Sequence, residues 1–412
     1  MPDAELPRIG LALAGGGPEG AIYEIGALRA LDDALDGVNF NDISVTVGVS
    51  SGALVGACLA NGITTAQLVR SVVQQEPGEQ PFVPDMFLRP ALREYAARLM
   101  SLPGLVASTI LDTAAGRSSD TGLVAGLLGR LGRAVPVGIF DNRPLRDYLA
   151  RVFAAPGRTD DFRELRNALY VIAADLNSGA AVRFGEAGRD HVPISEAIQA
   201  SAALPGLYPP VEIDGRYFVD GVLLKTLHAS VALDHGARLV LCVNPIVPVD
   251  TAGSVAAGAM VRGNLVERGM PTVLSQTFRT LIHSRMDTGM AAYRGRYDGA
   301  DVVLFEPRRD DYTMFFVNVF SFAARRRVLE HAYRATLQDL AARREELEPI
   351  FARHGVRMRS SVLERMRHDL WASVGIDSDA LRTRRHARLP STVATRDLRD
   401  ALAELEEVLA GS

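Results

Sequence analysis

The chain has 412 residues, 48% hydrophobic and 23% charged, enough to bury a large core in one α/β domain with an appendage or in two domains. Its 45 cationic and 49 acidic residues leave a formal charge of −4, which argues against a nucleic-acid partner, since such domains are strongly basic. Two cysteines, Cys58 and Cys242, provide no disulfide or metal framework, and no charge-free apolar run reaches the ~18 residues of a membrane span. Lys225 is the only lysine. The arginine bias reads mainly as that of a GC-rich genome, although arginine is also the better phosphate ligand. The N-terminus lacks a basic stretch followed by an apolar one, so no classical signal peptide is expected and the location expected is cytoplasmic or peripheral to a membrane.

In chain order, residues 9–14 read as a buried strand followed at once by Gly15-Gly-Gly-Pro-Glu-Gly20. Residues 21–35 then carry Ile22, Ile25, Leu28 and Leu31 at helical spacing, with Pro18 suited to the first turn. Gly15, Gly17 and Gly20 match a dinucleotide fingerprint, which requires an acidic residue at the end of the next strand. That strand, residues 43–47, has Asp42 before it but ends at a serine, so the dinucleotide reading fails there. The better role for Gly15, Gly16 and Gly17 is an oxyanion hole, in which backbone N–H groups without side chains converge on a developing anion at a helix N-terminus.

The second strand breaks at Gly48 in Gly48-Val-Ser50-Ser-Gly52, followed by a small-residue helix over 53–61 closed by Gly62. A strand, G-x-S-x-G and a helix make a nucleophile elbow, a tight turn that strains the serine backbone and lifts its hydroxyl clear of the sheet. Ser50 follows Gly15 by 35 residues, room for one β–α crossover, so the two strands are expected to be parallel neighbours with both loops at one sheet edge. Residues 63–135 are helical, apolar and broken by prolines. They suit a helical cap over an acyl site, or ordinary packing on the sheet. A helix over 144–153 is expected, capped by Asp141 or Asn142.

Residues 168–174 form a strongly apolar strand leading into the turn Asp175-Leu-Asn-Ser-Gly179, with 182–184 as its hairpin partner. A helix over 194–203 leads to Ser201-Ala-Ala-Leu-Pro205. A hairpin turning at Asp214-Gly215 then delivers Asp220-Gly221 to a strand end, and 239–243 form one more buried strand. A carboxylate there, with Gly221 permitting close approach, is the residue to take the Ser50 proton, although D-G is also an ordinary turn signal. No histidine fits a triad: His228, His235 and His283 lack a glycine-flanked loop, and His331, His354, His368 and His386 sit in arginine-rich sequence read as solvent-facing. A partly desolvated carboxylate is basic enough to act without one.

With these blocks the chain resembles the patatin-like phospholipases, acyl hydrolases with a Ser–Asp dyad on a three-layer α/β/α sandwich with a mainly parallel central sheet. Gly15-Gly-Gly-Pro-Glu-Gly20, Gly48-Val-Ser50-Ser-Gly52, Ala200-Ser-Ala-Ala-Leu-Pro205 and Asp220-Gly221 carry the resemblance in order over residues 8–245. It implies a lipid substrate, catalysis by Ser50 and Asp220, an oxyanion hole at Gly15, Gly16 and Gly17, and no metal or organic cofactor. Glu19 stands where the family usually has a basic residue, and Val222 follows Asp220-Gly221 in place of glycine. These departures motivate a rival, a catalytically weak or inactive lipid-binding or regulatory protein of the same fold.

The hydrolase domain is expected over residues 1–320, with 63–135 as its cap, and a helical C-terminal extension over 321–412. Residues 312–322 are densely aromatic, read as a core element or a lipid-facing one. Leu329, Tyr333, Leu337 and Leu340 stripe a long helix expected to run to Glu348. The arginines over 353–388 read as a solvated face or as ligands for acidic headgroups. Leu398, Leu402, Leu405 and Leu409 stripe a last helix, capped by Thr395, whose apolar face predicts docking on the main body or a homodimer.

Overall fold

The computed structural model describes residues 8–73, most of 89–100, 135–256, 265–311, 322–365 and 369–377. Strand β1 (Ile9–Leu13) lies between two parallel neighbours, β3 (Val45–Val49) and β8 (Leu239–Val243). Parallel β4 (Ala168–Asp175) flanks β3, and parallel β9 (Asp301–Phe305) flanks β8. The antiparallel members gather at β4: β5 (Ala181–Phe184) and β7 (Arg216–Asp220), the latter joined to β6 (Val211–Ile213) through Asp214 and Gly215, both at positive φ. The short β2 (Leu35–Asp36) pairs instead with β10 (Arg357–Met358) in a second, two-stranded sheet.

Alternation along the strands builds two apolar cores on opposite faces of the sheet. Leu11, Leu13, Leu239, Leu241 and Val243 point into one, with α1 (Gly17–Ala34), α2 (Ser51–Ala60), α3 (Thr65–Val73), α4 (Arg143–Phe153) and α5 (Ile194–Ser201). Ala12, Ala14, Val240 and Cys242 point into the other, against α6 (Ala229–Asp234) and α8 (Met270–Arg296), which follows the short α7 (Thr251–Ala256). The result is the expected α/β/α sandwich. Both cysteines are free and buried, Cys58 in the first core and Cys242 in the second.

Several elements differ from the sequence reading. Helix α1 starts at Gly17, so the glycine loop itself forms its first turn. Strand β3 continues through Gly48 to Val49, because Gly48 pairs with Leu13 and Val171 and its missing side chain lets α2 lie against it. A Cβ at Gly48 would stand 2.4 Å from the Ala53 Cα. Asn142 is the N-cap residue of α4 but gives no side-chain cap, because its amide exchanges hydrogen bonds with Gln199; Asp141 Oδ1 accepts the Arg143 N–H instead. Of the expected cap, α3 buries Leu68, Val69, Val72 and Val73 in the core, while residues 74–88 and 101–134 lie outside the described residues.

The long C-terminal helix breaks at Arg343 into α9 (Phe322–Ala342) and α10 (Arg344–Arg353). Two short helices follow, α11 (Ser360–Leu363) and α12 (Leu370–Ser373). Helix α9 crosses α1 so closely that a Cβ at Gly26 would lie 2.7 Å from the Leu329 carbonyl oxygen and 2.8 Å from the Ala332 Cβ. Leu329, Tyr333, Leu337 and Leu340 are buried there, each worth ~1.5–3 kcal/mol, whereas a surface pair such as Arg326–Glu330 is worth ~0–1 kcal/mol. The apolar stripe therefore holds α9 in place. His354 and His331, read as solvent-facing, are instead buried and half-buried, and each pairs with an aspartate, Asp301 and Asp311. The aromatic run over 312–321, His368, His386 and the final leucine-striped helix lie outside the described residues.

Candidate active site

The loops after β1, β3 and β8 meet at the carboxyl ends of the parallel strands, where open α/β sheets bind their ligands. Ser50 adopts φ 52°, ψ −119°, a left-handed backbone that non-glycine residues take only when their surroundings enforce it. The enforcing contacts are short. Gly52 donates its N–H to the Ala14 carbonyl at 3.0 Å, and a Cβ there would lie 2.5 Å from that oxygen. The Ser50 N–H donates to Ser201 Oγ at 2.8 Å, and the Ser201 hydroxyl donates to the Ile172 carbonyl at 2.6 Å. Ser201 thus ties the elbow to β4. Its motif was visible in the sequence as a small-residue block, but nothing there assigned it this role.

Strand register brings Asp220 to Ser50. Ala173 and Ala174 of β4 pair with both β5 and β7, so those two strands lie on opposite edges of β4; β3 and β5 share Val171 and Ile172, so they too are opposite. Hence β3 and β7 lie end to end on one edge: Val49 pairs with Ile172, and Asp220 with the next residue, Ala173. The Asp220 N–H donates to the Ala203 carbonyl at 3.0 Å, and Oδ1 accepts the Val222 N–H at 2.9 Å. The Ser50 side chain is close enough to this carboxylate to favour its charged form. Gly221 is required because a Cβ would meet the Ile172 carbonyl oxygen at 2.4 Å. Burial pushes the Asp220 carboxyl up to about 7, against the opposing pull of the Val222 N–H and the Ser50 hydroxyl.

The glycine loop is pinned between Ser50 and the turn after β8. A Cβ at Gly15 would lie 3.2 Å from the Ser50 Cβ, and one at Gly16 would lie 2.7 Å from the Pro245 Cγ. Gly16 is the N-cap of α1 and Gly17 its first residue, at φ 61°, so amides not bonded within the helix and the positive end of its dipole face the same region. Gly16, Gly17, Ser50 and Asp220 all line a cavity of about 690 Å³ whose other walls are largely apolar, including Leu54, Leu145, Leu207, Val222 and Ile246. Tyr208 lines it too, and burial together with the Asp220 charge raises its hydroxyl pKa so that it stays neutral.

None of His228, His235 and His283 lines this cavity. His228 is buried, and desolvation lowers its pKa to about 3 with help from Lys225 and Arg183, so it is neutral. Among the described residues no group of three or more His, Cys, Asp or Glu side chains is arranged to hold a metal. Sequence reasoning missed Arg279, the one cation lining the cavity among the described residues, which comes from the middle of α8.

The family model for patatin-like phospholipases matches residues 11–233, more than half of the chain, which therefore belongs to that family. Among solved structures it is similar to VipD from Legionella pneumophila, at 13% identity and a TM-score of 0.38 over 98% of this chain and 80% of that one. It is similar also to the type III effector protein ExoU, at 16% identity and a TM-score of 0.35 over 97% and 65%. A third likeness is to the SpcU–ExoU complex of Pseudomonas aeruginosa, at 17% identity and a TM-score of 0.26 over 48% and 38%. These likenesses are distant, and the family assignment rests on the match over 11–233. The family places the protein among lipid hydrolases. No described helix is long and apolar enough to cross a membrane.

Proposed function

We propose that the protein is a serine lipid acyl hydrolase working through Ser50 and Asp220. The observation that carries the reading is a serine in a left-handed elbow, sharing the wall of an apolar cavity with a buried carboxylate whose pKa it influences. Ser50 Oγ attacks the ester carbonyl carbon while the Asp220 carboxylate takes the hydroxyl proton. The developing oxyanion receives N–H groups from Gly15, Gly16 and Gly17. Collapse breaks the bond to the alcohol, which leaves with the proton from Asp220. Water then attacks the acyl-serine as Asp220 takes its proton, and collapse breaks the bond to Ser50 Oγ, which recovers that proton from Asp220 as the fatty acid is released. Asp220 must begin each half ionised, and its elevated pKa makes it a stronger base than an exposed aspartate.

The cavity mouth supports a lipid surface as the source of substrate. Met270, Leu274, Phe278 and Leu281 follow one face of α8 and are all exposed, Met270 at 73%, while the first three also line the cavity. An acyl chain entering along this stripe stays in apolar surroundings from bilayer to Ser50, the arrangement of a peripheral enzyme whose helix lies in the interface.

Labelling with a fluorophosphonate, followed by peptide mapping, tests the chemistry. The expected adduct is on Ser50, absent in Ser50→Ala and strongly reduced in Asp220→Asn. A folded, monodisperse protein that takes no label would remove the hydrolase reading and leave a lipid-binding one.

A further inference from the structure

Val222 stands beside both members of the dyad. Its backbone N–H donates to Asp220 Oδ1 at 2.9 Å. Its side chain reaches the glycine loop: a Cβ at Gly15 would lie 3.3 Å from the Val222 Cγ2 and 3.2 Å from the Ser50 Cβ, so the two side chains are neighbours across Gly15. Val222 lines the cavity and is buried in the second core, to which Ile246 and Ile282 of the same cavity wall also belong. Along α8 the lining residues pass from exposed Met270, Leu274 and Phe278 to buried Ile282, so the mouth is at the Met270 end and Val222 belongs to the closed end. The side chain there is held in place. Branching at Cβ restricts its rotamers, and its backbone lies in the single 3-10 turn Gly221–Leu223. That turn starts at Gly221, where a Cβ would already meet the Ile172 carbonyl oxygen. A glycine at 222 would leave the space between Asp220, Gly15 and Ser50 open; valine fills part of it.

We propose that the Val222 side chain selects the alcohol half of the ester, admitting a primary carbon on the leaving oxygen and crowding out a secondary one. The proposal rests on the hydrolase reading of the same cavity. In that mechanism the alcohol leaves with the proton from Asp220, so its oxygen must approach the carboxylate to which the Val222 N–H is bonded. The carbon bonded to that oxygen then comes against the Val222 methyl groups. A primary carbon turns its two hydrogens to this wall, whereas a secondary carbon has two carbon substituents, of which one must meet valine. In an ester of glycerol the outer positions are therefore the ones cleaved.

The test compares kcat/KM for the octanoate esters of butan-1-ol and butan-2-ol, which share a formula and differ only at the carbon bearing the ester oxygen. The lower intrinsic reactivity of the secondary ester cancels when variants are compared. In Val222→Ala the butan-1-ol to butan-2-ol ratio is expected to fall by about tenfold or more, the scale on which one methylene is discriminated. The fall should come from a gain on the butan-2-ol ester, which misfolding does not produce. Val222→Ile should raise the ratio. Butyl 2-methyloctanoate carries its branch on the acid instead. An unchanged ratio in Val222→Ala overturns the proposal, and so does a gain confined to the acid-branched ester, which would set the acyl group against Val222. If the wild type hydrolyses neither octanoate, the hydrolase reading fails alone. Selection by Val222 is then decided by displacement of bound anilinonaphthalene sulfonate with the octyl ethers of the two alcohols, which cannot be hydrolysed. A preference for the butan-1-ol ether in the wild type that is lost in Val222→Ala upholds it, and a wild type without that preference overturns it.

Discussion

Replacing Asp220 by asparagine should abolish activity and stabilise the fold at alkaline pH. The side chain is almost wholly buried, at 3% exposure, and its carboxyl is raised from 3.8 to about 7 by desolvation. The folded state therefore holds a proton that the unfolded chain has released. The contribution of this group to stability is complete below pH 3.8 and is lost as pH rises through about 7. At ~1.36 kcal/mol for each pH unit between the two values, ionised Asp220 costs the fold about 4 kcal/mol at pH 8. At pH 5 the folded group is mostly protonated, and the same linkage leaves less than half of that cost. Asparagine keeps an oxygen for the Val222 N–H and carries no charge. Asp220→Asn should thus unfold several degrees above the wild type at pH 8 and only slightly above it at pH 5, read by calorimetry at both values. Other groups that titrate in this range, Glu19 among them, are common to both proteins and cancel. A variant no more stable than the wild type at pH 8, or a difference independent of pH, would show that the site does not hold a desolvated carboxylate and would refute the strong-base argument.

The pH dependence of kcat/KM should follow Asp220: a rise of about tenfold per pH unit below about 7 and a plateau above it, retained in Glu19→Gln, whose own titration is removed. A bell centred on neutrality would require an acid that the dyad lacks. Ser201→Ala should leave the Ser50 N–H without its partner, costing ~1–3 kcal/mol of stability and at least about tenfold in kcat; loss of stability alone would mean that the elbow holds itself. Gly52→Ala drives a Cβ to within 2.5 Å of the Ala14 carbonyl oxygen, just after β1, and should cost more than ~3 kcal/mol, measured by denaturant titration. Phe278→Ser with Leu281→Ser should weaken sedimentation with phosphatidylcholine vesicles, by ~2–4 kcal/mol if both side chains are buried in lipid, and unchanged sedimentation would remove α8 from the interface.

What could be read from the sequence were the features whose physics is local. The elbow is five residues long, and its glycines are explained by contacts within a strand, a turn and a helix, so Gly48, Ser50 and Gly52 announced themselves. Asp220 was legible because a hairpin with Asp214-Gly215 at its turn fixes where its second strand ends. Even there the sequence predicted only a strand end; that this end abuts Val49 follows from β4 being shared, which is a property of the sheet. Strand β3 was ended too early for the same reason. Glycine disfavours strands locally, and only the approach of α2 explains why Gly48 belongs inside one.

The residues that escaped notice act across long separations. Ser201 reaches Ser50 and Ile172, 151 and 29 residues away, and no periodicity marks a hydroxyl as a strut. His354 looked like one more polar residue among arginines until β9 placed Asp301 against it. Arg279 is the sharpest case. In the sequence it is one arginine among 44, on a helix whose apolar positions suggest only packing. Glu19, by contrast, was conspicuous as an acid at an oxyanion loop, and read alone it argued against an anionic substrate. Folding places Arg279 in the cavity wall and Glu19 near enough for each to feel the other's charge, so the field there has contributions from both α1 and α8. That local field is therefore a property of the packed helices that neither segment carries by itself.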